Sequence, residues 1–277
     1  MSLRVVTPYT SDAATLSSSD FVGTLPVGNL QVEGRGRVAR TTNATGSKTI
    51  LGNFAGISVI SALVLYNHNL TSQATWRLEL YDGANQTGTR VYDSGTVNAL
   101  PAVGWGEFQW GLLPWGGSVF TGWGSAFSTL WFSTVGALSF RVTITDAANP
   151  AGYLQAKRLL LGSYFEPLVN IEYGMDLSWQ DNSEQFRTQG GSIRTDNRVL
   201  YRALKGKLPA LTPGERATYM DMVRQVALRS EVFISVFPTL GGALERDHAM
   251  LGKFTNMPNV AHREYNSYQS DLTFEEV

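Results

Sequence analysis

The chain has 277 residues, enough for one large or two medium domains, with 43% hydrophobic and only 16% charged positions and a formal net charge of −1. A charge balance of 10 basic to 8 acidic residues up to Phe165, and 12 to 15 after it, leaves neither half a polyelectrolyte and excludes a phosphate-backbone groove. The absence of cysteine excludes disulfides, thiolate metal sites and cysteine nucleophiles, and fits a reducing compartment.

The first 165 residues read as short strands separated by turns. No apolar run approaches the ~18 residues of a membrane span, and Met1–Pro8 lacks the apolar core of a signal peptide, so no membrane insertion is expected. Gly34-Arg35-Gly36-Arg37-Val38-Ala39 has the outline of a dinucleotide loop, but turn-like residues follow where that fold requires a helix. Gly46-Ser47-Lys48-Thr49 lacks the spacing of a phosphate-binding loop and reads as an ordinary loop. Ser58–Tyr66 is an apolar run of strand length, closed by Asn67-His68-Asn69, in which His68 reads as a turn residue. The Asn-x-Thr triplets at Asn43, Asn69 and Asn85 read as turn chemistry.

Trp76–Asp82 alternates strictly, so Trp76, Leu78 and Leu80 share one face and Arg77, Glu79 and Tyr81 the other. Thr89–Gly95 and Leu138–Thr145 repeat the pattern, the latter with Leu138, Phe140, Val142 and Ile144 inward. Strands at this spacing predict a sandwich or jelly roll. Residues 104–127 interrupt it: Trp105, Trp110, Trp115 and Trp123, interleaved with glycine, are candidate interface or ligand contacts. Exposed on a lone subunit such a segment would be a liability, whereas an assembly would cover it.

Around Leu159–Pro167 one β unit gives way to another. The second opens with Asn170–Trp179, turns at Gly190-Gly191 and reaches Arg198–Lys205. Thr212-Pro213-Gly214-Glu215 is a capping box with proline at the first helical position, and Tyr219, Met222, Val223 and Val226 form one apolar stripe, predicting the single helix over about 213–229. Val232–Pro238, Met250–Phe254 and Tyr265–Val277 read as strands. The expectation is a mainly β chain of two β-sandwich domains, 1–165 jelly-roll-like and 166–277 with one flanking helix.

No catalytic or metal constellation assembles from the sequence. His68, His248 and His262 lie apart with no metal-ligand spacing, no nucleophile elbow occurs, and Asp176, Asp181, Glu184 and Asp196 sit in polar turns as solvated hairpin tips. A non-enzyme without cofactor or metal is expected.

Arg37–Thr42, Ile50–Phe54, Ala62–Leu70 and Trp76–Asp82 together resemble the galactose-binding-like jelly rolls of long-tailed bacteriophage tail-tip proteins. From Pro167 onward, the hairpin of 176–204, the helix from Thr212 and the closing strands to Glu276 resemble the tail-tube-like domain of distal tail proteins, in the reverse of the order many of them use. The resemblance implies a structural component of the virion tail tip, assembled in host cytoplasm. It further implies a ring of copies, a hexamer, contacting tail tube, tail hub and other baseplate proteins, with no nucleic acid partner. Two rivals stand beside it. One is a carbohydrate-binding host-adhesion module contacting a surface glycan through the tryptophan segment; the other is a glycosidase, which would need a buried carboxylate pair that the sequence does not offer.

Overall fold

The computed structural model describes residues 3–34, 36–100, 110, 118, 120 and 125–277. In the first half the strands are β1 (Arg4–Tyr9), β2 (Thr15–Ser17), β3 (Ala39–Arg40), β4 (Ser47–His68), β5 (Thr75–Tyr81), β6 (Arg90–Asp93), β7 (Val97–Asn98), β8 (Phe127–Thr145) and β9 (Gln155–Phe165). The second half contributes β10 (Asp176–Gln180), β11 (Glu184–Arg187), β12 (Ile193–Asp196), β13 (Tyr201–Leu211), α1 (Pro213–Val226), β14 (Val232–Ser235), α2 (Gly242–His248), β15 (Ala249–Phe254), β16 (Val260–Glu264) and β17 (Ser267–Glu276). The protein is mainly β, an open β-sandwich, as its alternating patterns predict.

Both halves share one sheet. Its strand order is β10-β13-β17-β15-β14-β1-β9-β4-β8-β5-β6, so the N-terminal strand lies between β14 of the second half and β9 of the first. The backbones of β1 and β9 come so close that a Cβ at Gly162 would collide with the Pro8 carbonyl. In β4 the register against β8 shifts between Asn53 and Ser58 and again between Ile60 and Ala62. Such bulges bend a strand, which lets 22 residues curve around the first core.

Alternation along the central strands feeds three cores. Leu63 and Leu65 of β4 and Leu159 and Leu161 of β9 face a first core with Trp76, Leu78, Phe140 and Val142. Leu3 and Val5, with Val232 and Ile234, face a second core against α1. The other face belongs to a third cluster, in which Val6, Val64, Tyr66, Leu160, Phe233 and Leu251 come from both halves. Leu100, Phe120 and Phe127 lie over that third cluster, and Phe127 meets Phe120 and Phe233 edge-on at 4.9 and 5.6 Å. Buried on both faces, these strands read as continuous apolar runs, such as Ala62–Tyr66 and Leu159–Leu161.

Several local expectations need correction. The helix α1 has the predicted capping box: Glu215 N–H donates to Thr212 Oγ1, and Glu215 Oε2 accepts from Thr212 N–H. It stops at Val226 rather than near 229, because Ala227 takes φ 50°, outside helical space. A second helix, α2, was not expected; it follows Gly241 without a side-chain cap, and Glu245 instead accepts from Gly241 N–H at 2.9 Å. Ser47-Lys48-Thr49 opens β4 rather than forming a loop, with buried Lys48 donating to Asn43 Oδ1 at 2.7 Å. Leu138 is only half-buried, while Phe140, Val142 and Ile144 face inward as expected. The Gly34–Ala39 stretch leads into the short strand β3 and opens no helix.

His68 is a buried strand end rather than a turn residue. Its Nδ1 accepts from Leu70 N–H at 3.2 Å, so Nε2 carries the proton and faces Ser128 Oγ at 2.8 Å. Burial lowers its pKa to about 3.

Two predictions arise from this fold. The first core lies wholly within residues 1–165, while the second needs Leu3 and Val5 of β1. A 1–165 fragment should therefore melt cooperatively, though below the full chain, and a 166–277 fragment should show no cooperative melt; calorimetry of both checks this. The second concerns acid. An unfolded imidazole takes up its proton near pH 6.5, whereas folded His68 resists until about 3. Its contribution is thus complete above pH 6.5 and declines as pH falls through that window, by at most about 1.4 kcal/mol per pH unit. Asp12 and Glu245, whose carboxyls burial raises, act with the opposite sign, so the readout is a difference. In urea titrations from pH 7 to 4, His68→Asn should lose less stability than the parent chain.

Candidate functional site

The most exposed apolar surface of the second half gathers at the free edge of its sheet. Strand β10 ends the strand path and pairs with β13, Leu177 against Leu204 and Trp179 against Arg202. Leu177 packs against the second core, whereas Trp179, two residues on and on the same face, lies beyond it and is more than half exposed.

Beyond β10 the chain rises into an arm. Strands β11 and β12 form a separate two-stranded sheet, with Glu184 opposite Asp196, Phe186 opposite Arg194 and Arg187 opposite Ile193. Its turn is the predicted glycine pair: Gly191 takes φ 82° and donates its N–H to Thr188 O, while Thr188 N–H donates to Ser192 O. Every residue of both strands is exposed. At the base, Ser183 Oγ accepts from Arg198 N–H, and the Arg198 guanidinium pairs with Glu184 at 2.8 Å and lies 3.7 Å from Asp196. Glu184 and Asp196 are therefore solvated, as their polar sequence context implied, but they stand at the base of the hairpin rather than at its tip, and Arg198 compensates their charge. Phe186, Ile193, Val199 and Leu200 are each more than half exposed.

A groove of about 690 Å³ lies before β10, lined by Val169, Ile171, Met175, Pro209 and Phe237, with Glu172 as its charged residue. Exposed Leu168 precedes it in the chain, and fully exposed Tyr173 is part of its lining. Glu215 of the capping box anchors this segment by accepting from Leu168 N–H at 2.6 Å.

A second concavity, about 340 Å³, sits where the halves meet. Phe120, Phe127 and Trp131 line it together with Asn98, Glu245 and Arg246. Glu245 is buried, and that burial raises its carboxyl above the usual range even though Gly241 N–H donates to it. Arg4 stacks 5.1 Å from the Trp131 ring and 4.7 Å from Tyr164, with Glu166 3.0 Å from its Nε.

Of the four tryptophans singled out in the sequence, Trp110 is 81% exposed, while Trp105, Trp115 and Trp123 lie outside the described residues. Phe120, from the same segment, is buried in the third core. Among the described residues no group of three or more His, Asp or Glu side chains is arranged to hold a metal ion. No helix among them is long and apolar enough to cross a membrane.

Sequence reasoning missed the arm's apolar pair and the groove. The Gly190-Gly191 turn made the hairpin legible, but Phe186 and Ile193 look like ordinary strand residues. Only the absence of any layer over them marks them as surface.

No family model matches the chain, and no curated protein matches it. Solved structures similar to it include chitosan-binding module 1 of a chitosanase/glucanase from Paenibacillus sp. IK-5, at 10% identity and a TM-score of 0.40, over 57% of this chain and 100% of that one. A family 32 carbohydrate-binding module from C. perfringens NanJ, solved with galactose, is similar at 12% identity and a TM-score of 0.37, over 58% and 98%. A Ruminococcus gnavus GH29 fucosidase solved with fucose gives 12% and 0.37, over 56% of this chain and 26% of that one. Likeness at this level assigns neither ligand nor activity to the chain.

Proposed function

We propose that this chain is a non-catalytic structural component of a bacteriophage tail tip, a distal tail or baseplate ring protein that joins the tail tube to the hub and host-recognition parts. It would work in the virion and pass through host cytoplasm during assembly. The observation that carries the reading is the uncovered surface of the second half. There an open sheet edge, a solvent-surrounded arm and an apolar groove occur together on a chain with only 16% charged residues. Open edges and apolar patches are hazards for a free monomer and assets for a subunit whose neighbours cover them. The work is then mechanical, many modest contacts multiplied by symmetry.

Virions of a phage encoding this chain should contain it in multiple copies, and antibody against it should label the tail tip in electron micrographs; its absence from purified virions would refute the assignment. Within that particle, exposed Trp110 is expected to contact a neighbour. Trp110→Ala should lower the yield of complete tails by more than any change in the melting temperature of the free chain accounts for. Loss of yield that merely tracks loss of stability returns the ring to an intramolecular role.

A second reading, recognition of a surface glycan, is favoured by the concavity between the halves, where aromatic rings meet Asn98, Glu245 and Arg246. Sugar rings lay their apolar faces on aromatics and offer hydroxyls to such polar groups. Galactose titrated into the full chain should shift methyl or indole resonances of this concavity saturably. A flat titration to 50-fold excess, given as roughly the range where millimolar ligands register, removes galactose-type sugars from consideration.

A further inference from the structure

We infer that the β11–β12 arm of one copy docks into the groove before β10 of a second copy of this chain. The inference rests on the reading of the chain as an assembly subunit and names the contact through which copies would join.

The arm has no packing of its own to hold it. A lone two-stranded hairpin is marginal in water, and the ladder of this one runs only between its own strands. Because residues opposite each other share a face, Phe186 and Arg194 lie on one side of the ribbon, and Arg187 and Ile193 on the other. Each face thus offers one apolar side chain beside one guanidinium. Arg198 is occupied by Glu184 and Asp196. The segment between β10 and β13, residues 181–200, holds three arginines and three carboxylates, so what the arm presents is set by where Arg194 and Arg187 stand, the latter donating to Gly191 O at 3.1 Å, rather than by net charge.

The groove is the chemical complement. Its lining is apolar, through Val169, Ile171, Met175, Pro209 and Phe237, and its one charged residue is the carboxylate of Glu172. An apolar side chain entering it would bring an arginine within reach of that carboxylate. Within one copy the two surfaces lie at opposite ends of β10. Residues 169–175 precede that strand and the arm follows it, about 16 Å further along at 3.3 Å per residue. The strand carries the arm away from its own groove and leaves that groove for a neighbour.

Arm and groove are different patches, so the contact is head-to-tail. Such a contact closes into a ring when the rotation per copy permits and otherwise propagates. It also makes a prediction that a symmetric, patch-to-itself dimer does not share.

The test uses the full chain. Native mass spectrometry and light scattering should show multimers of wild type. An arm variant, Phe186→Asp with Ile193→Asp, and a groove variant, Val169→Asp with Tyr173→Asp, should each be monomeric with unchanged far-ultraviolet spectra, since all four positions are exposed to solvent. Mixing the two should give a one-to-one dimer and nothing larger, because one copy keeps a groove and the other an arm. Should either double variant misfold, the lack of native cysteine supplies a second route. F186C mixed with V169C should form a disulfide-linked dimer under mild oxidant at least tenfold faster than either alone. A wild-type chain that stays monomeric at 100 µM, roughly the top of the range in which specific contacts form, overturns the inference. So do multimers that ignore both variants, or a mixture with no dimer. Multimers that behave as described while the protein is missing from virions would leave this contact standing and remove the tail-tip reading alone.

Discussion

The architecture depends on the position of one short strand. β1 accepts β9 on one side and β14 on the other, with Val5 opposite Phe165 and Ile234, and Val6 opposite Tyr164 and Phe233. Without it the ladder of the first half would end at β9 and that of the second at β14. Because successive side chains of a strand point to opposite faces, β1 also delivers Val5 to the second core and Val6 to the third. Burial of such side chains is worth roughly 1.5–3 kcal/mol each, and here that stabilisation is shared between segments far apart in the chain.

Buried charge reinforces the same seam. Arg158 of β9 is fully buried; its Nη atoms donate to both oxygens of Asp12 at 3.0 and 2.9 Å, and its Nε lies 3.1 Å from Glu231, at the threshold of β14. Burial opposes the charge, but Asp12 and Glu231 outweigh it and hold the guanidinium above its ordinary pKa. A second tie joins Tyr66 of β4 to Glu276 of β17 at 2.8 Å, and Glu276 in turn takes Arg202 Nη2 and Nε at 2.7 and 2.9 Å. Buried ion pairs add little net stability because desolvation offsets attraction, yet removing one partner costs several kcal/mol. Their effect here is on alignment: a mispaired β1 would strand these charges.

The seam and the far edge of the sheet are therefore organised differently. At the seam Val5 and Val6 are both buried, and among the described residues the buried Arg158 and Arg202 meet carboxylates. At the far edge β10, the arm and the groove before it leave apolar side chains in solvent, among them Trp179, Phe186, Ile193 and Tyr173. On the first half, a network of charge around buried Glu79 takes the corresponding place. Arg77 grips both oxygens of Asp93, lowering that carboxyl to about 2, and Glu79 lies between Arg77, Arg90 and Arg141. A charged face of this kind discourages strand-edge association, which sets this end of the sheet apart from the apolar edge of the second half.

Local chemistry was legible in the residues themselves. The period-two alternation of Trp76–Asp82, the capping box at Thr212 and the glycine pair at 190–191 specify strand, helix start and turn, because each depends on neighbours within a few positions. α2 was not legible: its stabilising contact, Glu245 to Gly241 N–H, follows no familiar capping pattern. His68 was misplaced for a related reason, since its burial comes from Ser128 and the strands around it rather than from the asparagines beside it. What only the tertiary structure decided is which strands are neighbours and which apolar residues stay uncovered. Val6 and Phe186 are both strand residues; one is buried because side chains of both halves pack over it, and the other is exposed because its hairpin packs on no core cluster among the described residues. Partnership across more than a hundred residues is a property of the assembled sheet, and no local pattern encodes it.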